Sequence, residues 1–127
     1  MSTILLADDE ANLRLLVRTT LEDPQYQIVE ASNGSMALDL ARRERPDLVL
    51  LDWMMPGLSG IEVLRSLRAD SATASIAVIM LTAMGQEKDR AEAAALGICS
   101  YLVKPFSPLE LLAVVQAALT CGDSRDG

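Results

Sequence analysis

Histidine is missing from all 127 residues of the chain. Imidazole titrates near neutrality and is the commonest metal ligand, so a reaction using one as base, ligand or phosphoryl carrier must borrow it from another molecule. Cysteine is scarce, with Cys99 and Cys121 the only two. They are too few for a disulfide framework and are not spaced as a zinc motif, so two reduced thiols are expected. Basic residues are outnumbered, 11 Lys and Arg against 18 Asp and Glu, for a formal charge of −7. Wrapping nucleic acid requires a basic face to neutralise phosphates; none is visible, and no direct nucleic-acid binding is expected. No apolar run approaches the roughly 20 residues that span a bilayer. Met1-Ser2-Thr3-Ile4 enters an apolar run with no basic stretch before it and no small-residue cleavage site after it, so secretion is not expected and the cytoplasm is.

What is present fits one soluble domain. Half the residues are hydrophobic and 23% charged, and a chain of this length can bury a single core without staples. Short apolar runs at 3–7, 27–31, 48–51, 76–81 and 101–103 alternate with helix-like stretches, giving five β/α units. Leu13, Leu16, Val17, Thr20 and Leu21 mark one helical face, Ala37, Leu40 and Ala41 a second, and Ile61, Leu64 and Leu67 a third. Pro24, Pro46 and Pro56-Gly57 punctuate the segments between. Ser107-Pro108-Leu109-Glu110 offers a capping serine, a first-turn proline and a capping-box glutamate for a last helix running to about Leu119. Residues 121–127 read as a flexible tail or the start of a linker after a domain at 1–120. Apolar strands joined by helices imply a parallel α/β sheet buried on both faces.

The chemistry gathers where the runs end: Asp8-Asp9 after the first, Asp52 after the third, Thr82 ending the fourth, Lys104-Pro105 after the fifth. In an open parallel sheet the carboxyl ends share one edge, and ligands bind there where the strand order reverses. Three carboxylates, one hydroxyl and one ammonium should therefore converge. Such carboxylates repel one another unless a cation intervenes. Hard oxygen ligands, with no thiolate or imidazole nearby, suit Mg²⁺. Each residue alone has an ordinary explanation: Asp8-Asp9 as a helix N-cap, Asp52 as a turn former, Thr82 as a strand end, Lys104 as a solvated charge. It is their placement at successive strand ends that points to a site.

Leu5-Leu6-Ala7-Asp8-Asp9, the run from Asp47 through Asp52 to Pro56-Gly57, Thr82-Ala83 and Tyr101-Leu102-Val103-Lys104-Pro105-Phe106 together resemble the receiver domains of two-component response regulators, over Ile4 to about Leu119. The resemblance implies a flavodoxin-like fold: one doubly wound five-stranded parallel sheet, order 2-1-3-4-5, with five helices. It implies that Asp52 is the phosphoacceptor, taking a phosphoryl group from phosphohistidine on a sensor histidine kinase or histidine phosphotransfer protein. Asp9 and Asp52 would bind Mg²⁺ directly, Asp8 through water, and Met54 through its backbone carbonyl. Lys104 and Thr82 would meet phosphoryl oxygens. Thr82 and Tyr101 would act as the signalling switch, altering a face built from the fourth helix, fifth strand and fifth helix. The domain would thus be a regulatory phosphoacceptor, not an enzyme acting on other substrates.

Several residues depart from that pattern. Gly97, Ile98, Cys99 and Ser100 stand where many relatives carry acidic residues, and the last helix has only Glu110 and Gln116 as polar residues between Leu109 and Leu119. These features predict an apolar output face, open to a second copy or another partner, in place of an ionic one. Met54 and Met84 stand two residues beyond Asp52 and Thr82 and cannot orient a hydrolytic water through their side chains, which predicts a long-lived phosphorylated state. Trp53 offers a fluorescence reporter. Two rival readings fit less well. An aspartyl-phosphate phosphatase needs an acid where Met54 stands, and a flavodoxin-like nucleotide carrier would meet repulsion from Asp8-Asp9-Glu10.

Overall fold

The five apolar runs pair side by side. In the computed structural model, which describes residues 1–83 and 90–125 and side chains through 120, the strands are β1 (Ser2–Ala7), β2 (Tyr26–Ala31), β3 (Leu48–Asp52), β4 (Ala77–Ala83) and β5 (Ser100–Lys104). They form one parallel sheet in the order β2-β1-β3-β4-β5. Between and after them run α1 (Ala11–Thr20), α2 (Gly34–Glu44), α3 (Gly60–Ala69), α4 (Arg90–Ala95) and α5 (Pro108–Arg125). The expected fold class, strand order and helix count are all observed.

Every residue of β3 is buried, because helices cover both faces of the sheet. Side chains alternate along the strand. Val49 and Leu51 join Ala37, Ala41, Ile61, Leu64 and Leu67 under α2 and α3, while Leu48 and Leu50 join Val17, Leu111 and Val115 under α1 and α5. The chain order reverses about β1, which lies between β2 and β3. Ala7 is paired with Leu51, so the residues that follow them, Asp8 and Asp52, lie side by side at the switch point.

Local signals behave largely as read. Glu110 N–H donates to Ser107 Oγ at 3.1 Å and Ser107 N–H donates to Glu110 Oε1 at 3.2 Å, the reciprocal capping box expected for α5. That helix continues to Arg125, past the stop placed near Leu119. No proline interrupts it, and a lone glycine costs a helix only about 1 kcal/mol against alanine.

The face assigned to α1 is also corrected. Val17 and Leu21 are buried, but Leu16 is 40% exposed and Leu15 63% exposed. α5 covers only part of the α1 surface, and hydrophobic period alone does not reveal how much of a stripe a neighbour reaches. On α5 itself, Leu112, Val114 and Leu119 pack partly into the core. Among the described side chains of α5 the exposed side is then mostly Ala113, Ala117, Glu110 and Gln116, with Leu109 the one strongly exposed large apolar residue. The apolar face expected there is a surface of alanine methyls with a single leucine.

Candidate functional site

Asp8, Asp9 and Asp52 each present a carboxylate oxygen within 4.8 Å of the others. Asp52 is the last residue of β3 and Lys104 the last of β5, one residue earlier relative to the strands than the sequence suggested. Asp8 and Asp52 are 0% and 4% exposed, whereas Asp9 faces solvent.

The ordinary explanation for the acidic pair does not hold. The N-cap of α1 is Glu10, which makes no side-chain capping bond. Asp8 instead folds its own turn, Oδ1 accepting from Glu10 N–H at 2.9 Å. Its backbone is held as well: Asp8 N–H donates to the Ala31 carbonyl at 3.1 Å, and Arg14 Nη1 donates to the Asp8 carbonyl at 2.7 Å. Arg14 is itself gripped by Glu30 on β2 at 3.1 Å. Nothing in the spacing singles out Arg14, because its role rests on tertiary contacts.

Lys104 brings its ammonium between two of the acids, donating to Asp8 Oδ2 at 2.9 Å and to Asp52 Oδ1 at 3.2 Å, with Glu10 Oε1 at 3.9 Å. Asp52 Oδ1 also faces Met54 N–H at 3.4 Å. One ammonium against three carboxylates leaves the cluster short of positive charge. Burial, reinforced by the negative Asp8, pushes the Asp52 carboxyl up to about 6 in spite of Lys104. Burial works against the Lys104 ammonium, but the hydrogen bond and charge of Asp8 and Asp52 outweigh it, and its pKa is raised.

These donors fit a hard divalent cation: carboxylate oxygens only, one of them solvent-facing, with an unmet negative excess. Met54, two residues beyond Asp52, has an exposed side chain. Thr82 is buried at the register step after Leu81, the partner of Asp52 across the sheet, and its hydroxyl donates to the Ala83 carbonyl at 3.1 Å.

Tyr101 lies apart from the acids. Its hydroxyl donates to the Arg90 carbonyl at 2.8 Å, the Arg90 guanidinium stands 4.4 Å from its ring centre, and its ring stacks on Trp53 at 5.9 Å and 21°. Trp53 is buried and adjoins Asp52 in sequence, so Tyr101 is linked to the site through one residue. Met84 lies outside the described residues. Cys99 is half-buried, and no described helix is long and apolar enough to cross a membrane.

One feature beside the acids was not foreseen. A groove of about 420 Å³ is lined by Glu10, Leu13, Leu16, Lys104, Pro105 and Phe106, together with Ala83. The exposed Leu16 was the only available signal, and the sequence reading placed it in the core.

Comparison with known proteins agrees with this geometry. A family profile described as "Response regulator receiver domain" matches residues 4–116. The phosphate regulon transcriptional regulatory protein PhoB of Pseudomonas aeruginosa is 45% identical over 117 residues, covering 92% of this chain and 51% of that protein. The transcriptional regulatory protein ResD of Bacillus subtilis is 47% identical over 116 residues, covering 91% of this chain and 47% of that protein. The chain thus spans about half the length of the curated relatives it matches. The chemotaxis response regulator CheY4 of Vibrio cholerae has the same fold, with a TM-score of 0.85 at 33% identity over 93% of this chain and 98% of that one. The chain belongs to the family of response regulator receiver domains.

Proposed function

We propose that the domain is a phosphorylation-controlled switch in which Asp52 is the phosphoacceptor. The observation that carries this reading is the meeting of Asp8, Asp9 and Asp52 within 4.8 Å, with Lys104 bonded to two of them. Asp9 and Asp52 would hold Mg²⁺ directly, Asp8 through water and Met54 through its carbonyl; bound there, the ion would supply the positive charge that three acids and a phosphoryl group lack.

A carboxylate oxygen of Asp52 attacks the phosphorus of a phosphohistidine on a sensor kinase or phosphotransfer protein. The P–N bond breaks, the imidazole leaves and takes a proton from water, and an acyl phosphate remains. The donor supplies the imidazole that the chain lacks. Lys104, already between Asp8 and Asp52, meets charge on the transferring group. Thr82 then binds a phosphoryl oxygen, and Tyr101 carries the change to the face of α4, β5 and α5, where a second copy or an output partner binds. The switch is regulatory and operates in the cytoplasm.

The groove beside Lys104 gives the donor a place to dock. Its apolar wall of Leu13, Leu16, Pro105 and Phe106 suits the apolar stripe of a helix bearing the phosphohistidine. Leu16→Asp is expected to slow transfer from a phosphohistidine donor at least tenfold while leaving transfer from acetyl phosphate unchanged. The central test is incubation with acetyl phosphate and Mg²⁺ followed by mass spectrometry. Wild type is expected to gain about one phosphoryl group and Asp52→Ala none; an adduct of equal yield in both proteins refutes the assignment of Asp52.

A further inference from the structure

The glycines whose surroundings are described fall into two kinds. Gly57 and Gly97 have positive φ, +80° and +77°, with open space where a side chain would point. Their conformation explains them. Gly34 and Gly60 are the opposite: each is the first residue of a helix, α2 and α3, and neither has a positive φ. What they lack is room. A Cβ on Gly60 would stand 2.3 Å from the Asp52 carbonyl oxygen and 2.8 Å from Trp53 Cα. A Cβ on Gly34 would stand 2.7 Å from Leu58 Cβ, 2.9 Å from the Leu58 carbonyl oxygen and 2.9 Å from Val63 Cγ2.

Both close approaches fall on one segment, the turn that leaves β3 and enters α3. Its start is pinned from the other side as well: Trp53 N–H donates to the Leu81 carbonyl at 2.8 Å, and Gly60 N–H donates to the Trp53 carbonyl at 2.9 Å. α3 cannot readily back away, because Ile61, Val63, Leu64 and Leu67 are buried in the core. The segment carries the Asp52 peptide at one end and Met54 within it.

We propose that Gly60 and Gly34 are positioning residues for phosphoryl transfer, their missing side chains letting the first turns of α3 and α2 clamp the 52–58 segment and fix the Asp52 peptide and Met54 carbonyl. The claim rests on the assignment of Asp52 as phosphoacceptor. A methyl at Gly60 must move the Asp52–Trp53 peptide or α3 by about an ångström, a displacement that can lower a rate on the order of a hundredfold when the reacting geometry is tight. Gly34 acts at the far end of the segment, so its substitution is the milder perturbation.

The test compares Gly60→Ala and Gly34→Ala with wild type and with Leu21→Ala, a core truncation at the end of α1 that lowers stability without touching the segment. Folding is followed by circular dichroism, Mg²⁺ binding by fluorescence of Trp53, the only tryptophan, and phosphorylation by acetyl phosphate with mass spectrometry. Leu21→Ala is expected to melt lower yet keep Mg²⁺ half-saturation and phosphorylation rate within about twofold of wild type. Gly60→Ala is expected to lose roughly 10- to 100-fold in rate with several-fold weaker Mg²⁺ binding, and Gly34→Ala a smaller fraction of both. A folded Gly60→Ala protein with wild-type Mg²⁺ binding and rate overturns the proposal. Should Gly60→Ala fail to fold, a folded Gly34→Ala protein unchanged in both measurements overturns it. If wild type itself takes no phosphoryl group, the Asp52 assignment fails, and the Mg²⁺ titrations alone decide the role of the glycines.

Discussion

Replacing Asp52 by asparagine should make the metal-free protein more stable at neutral pH. The Asp52 carboxyl rises from 3.8 to about 6 in the folded chain, chiefly through burial and then through Asp8. A rise of that size corresponds to about 3 kcal/mol of preference for the neutral form. Because water reaches the cluster from the side of Asp9, about 2 kcal/mol is the better working figure. Between about pH 4 and 6 the folded state holds a proton that the unfolded state has released. The contribution of Asp52 to stability is therefore fully present below its unfolded value and is lost as pH rises through about 6. Asp70, held low by the Ala72 N–H and Arg42, and Glu92, held low by Arg65, act in the opposite sense and lose their contribution only in more acidic solution. Asparagine keeps an oxygen for Lys104 and Met54 N–H but carries no charge. In EDTA at pH 7.5, urea unfolding followed by circular dichroism should show Asp52→Asn more stable than wild type by about 2 kcal/mol, or a melting temperature higher by roughly 5–10 °C. At pH 5 the gap should narrow. Mg²⁺ at 100 times its dissociation constant adds about 2.7 kcal/mol to a protein that binds it, and the gain should appear in wild type and largely vanish in the variant. Equal stability of the two proteins in EDTA at pH 7.5 refutes the reasoning, because the charge of Asp52 would then impose no strain.

Met54→Asn places an amide where an exposed thioether now stands, and it should shorten the life of phosphorylated Asp52 several-fold by orienting the hydrolytic water; equal lifetimes measured by decay of the adduct count against this. Tyr101→Ala removes the stack on Trp53 and the bond to the Arg90 carbonyl and should leave the rate of phosphorylation intact while weakening the preference of a binding partner for the phosphorylated form; unchanged preference removes Tyr101 from the mechanism. Ser107→Ala deletes the cap of α5 and should destabilise the domain by about 1 kcal/mol, seen as a lower urea midpoint with unaltered phosphorylation.

The parts of the molecule legible in the sequence were those set by local pattern. Apolar runs of strand length, four of the five ending in a chemically distinctive residue, were enough to place Asp8, Asp52, Thr82 and Lys104 on one edge, because parallel topology leaves little freedom in where strand ends go. The capping box of α5 was legible for the same reason: four consecutive residues contain the whole interaction. What escaped depends on distant contacts. The convergence of Lys104 with the acids followed from the strand ends, but its direct bonds to Asp8 and Asp52, across 96 and 52 residues, depend on side-chain reach that strand order does not report. Arg68 was invisible too, although its guanidinium donates to the carbonyls of Ala74, Ile76, Leu96 and Gly97 and so ties α3 to the segments entering β4 and β5. Leu16 misled because a helix reports where its apolar stripe lies and not whether a neighbour covers all of it. The close approach of Gly60 to the Asp52 carbonyl is likewise set by packing and not by local pattern.

The way α4 is attached suggests how a change of charge at Asp52 would reach the surface. Among its described residues only Ala93 is buried. Its described polar contacts are the Arg65–Glu92 ion pair, Arg68 on the carbonyls of Leu96 and Gly97 just beyond its end, and the Tyr101 hydroxyl on the Arg90 carbonyl. A helix whose described residues bury one methyl is cheaper to shift than α2 or α3, whose leucines and valines fill the core. Tyr101 touches α4 at one end and Trp53 at the other, and Trp53 follows the residue proposed to gain about one negative charge, an acyl phosphate carrying about two where the carboxylate carried one. Asp52 sits on β3, every residue of which is buried, whereas the described part of α4 buries Ala93 alone, so a rearrangement driven from Asp52 should be taken up at α4 before it disturbs the core.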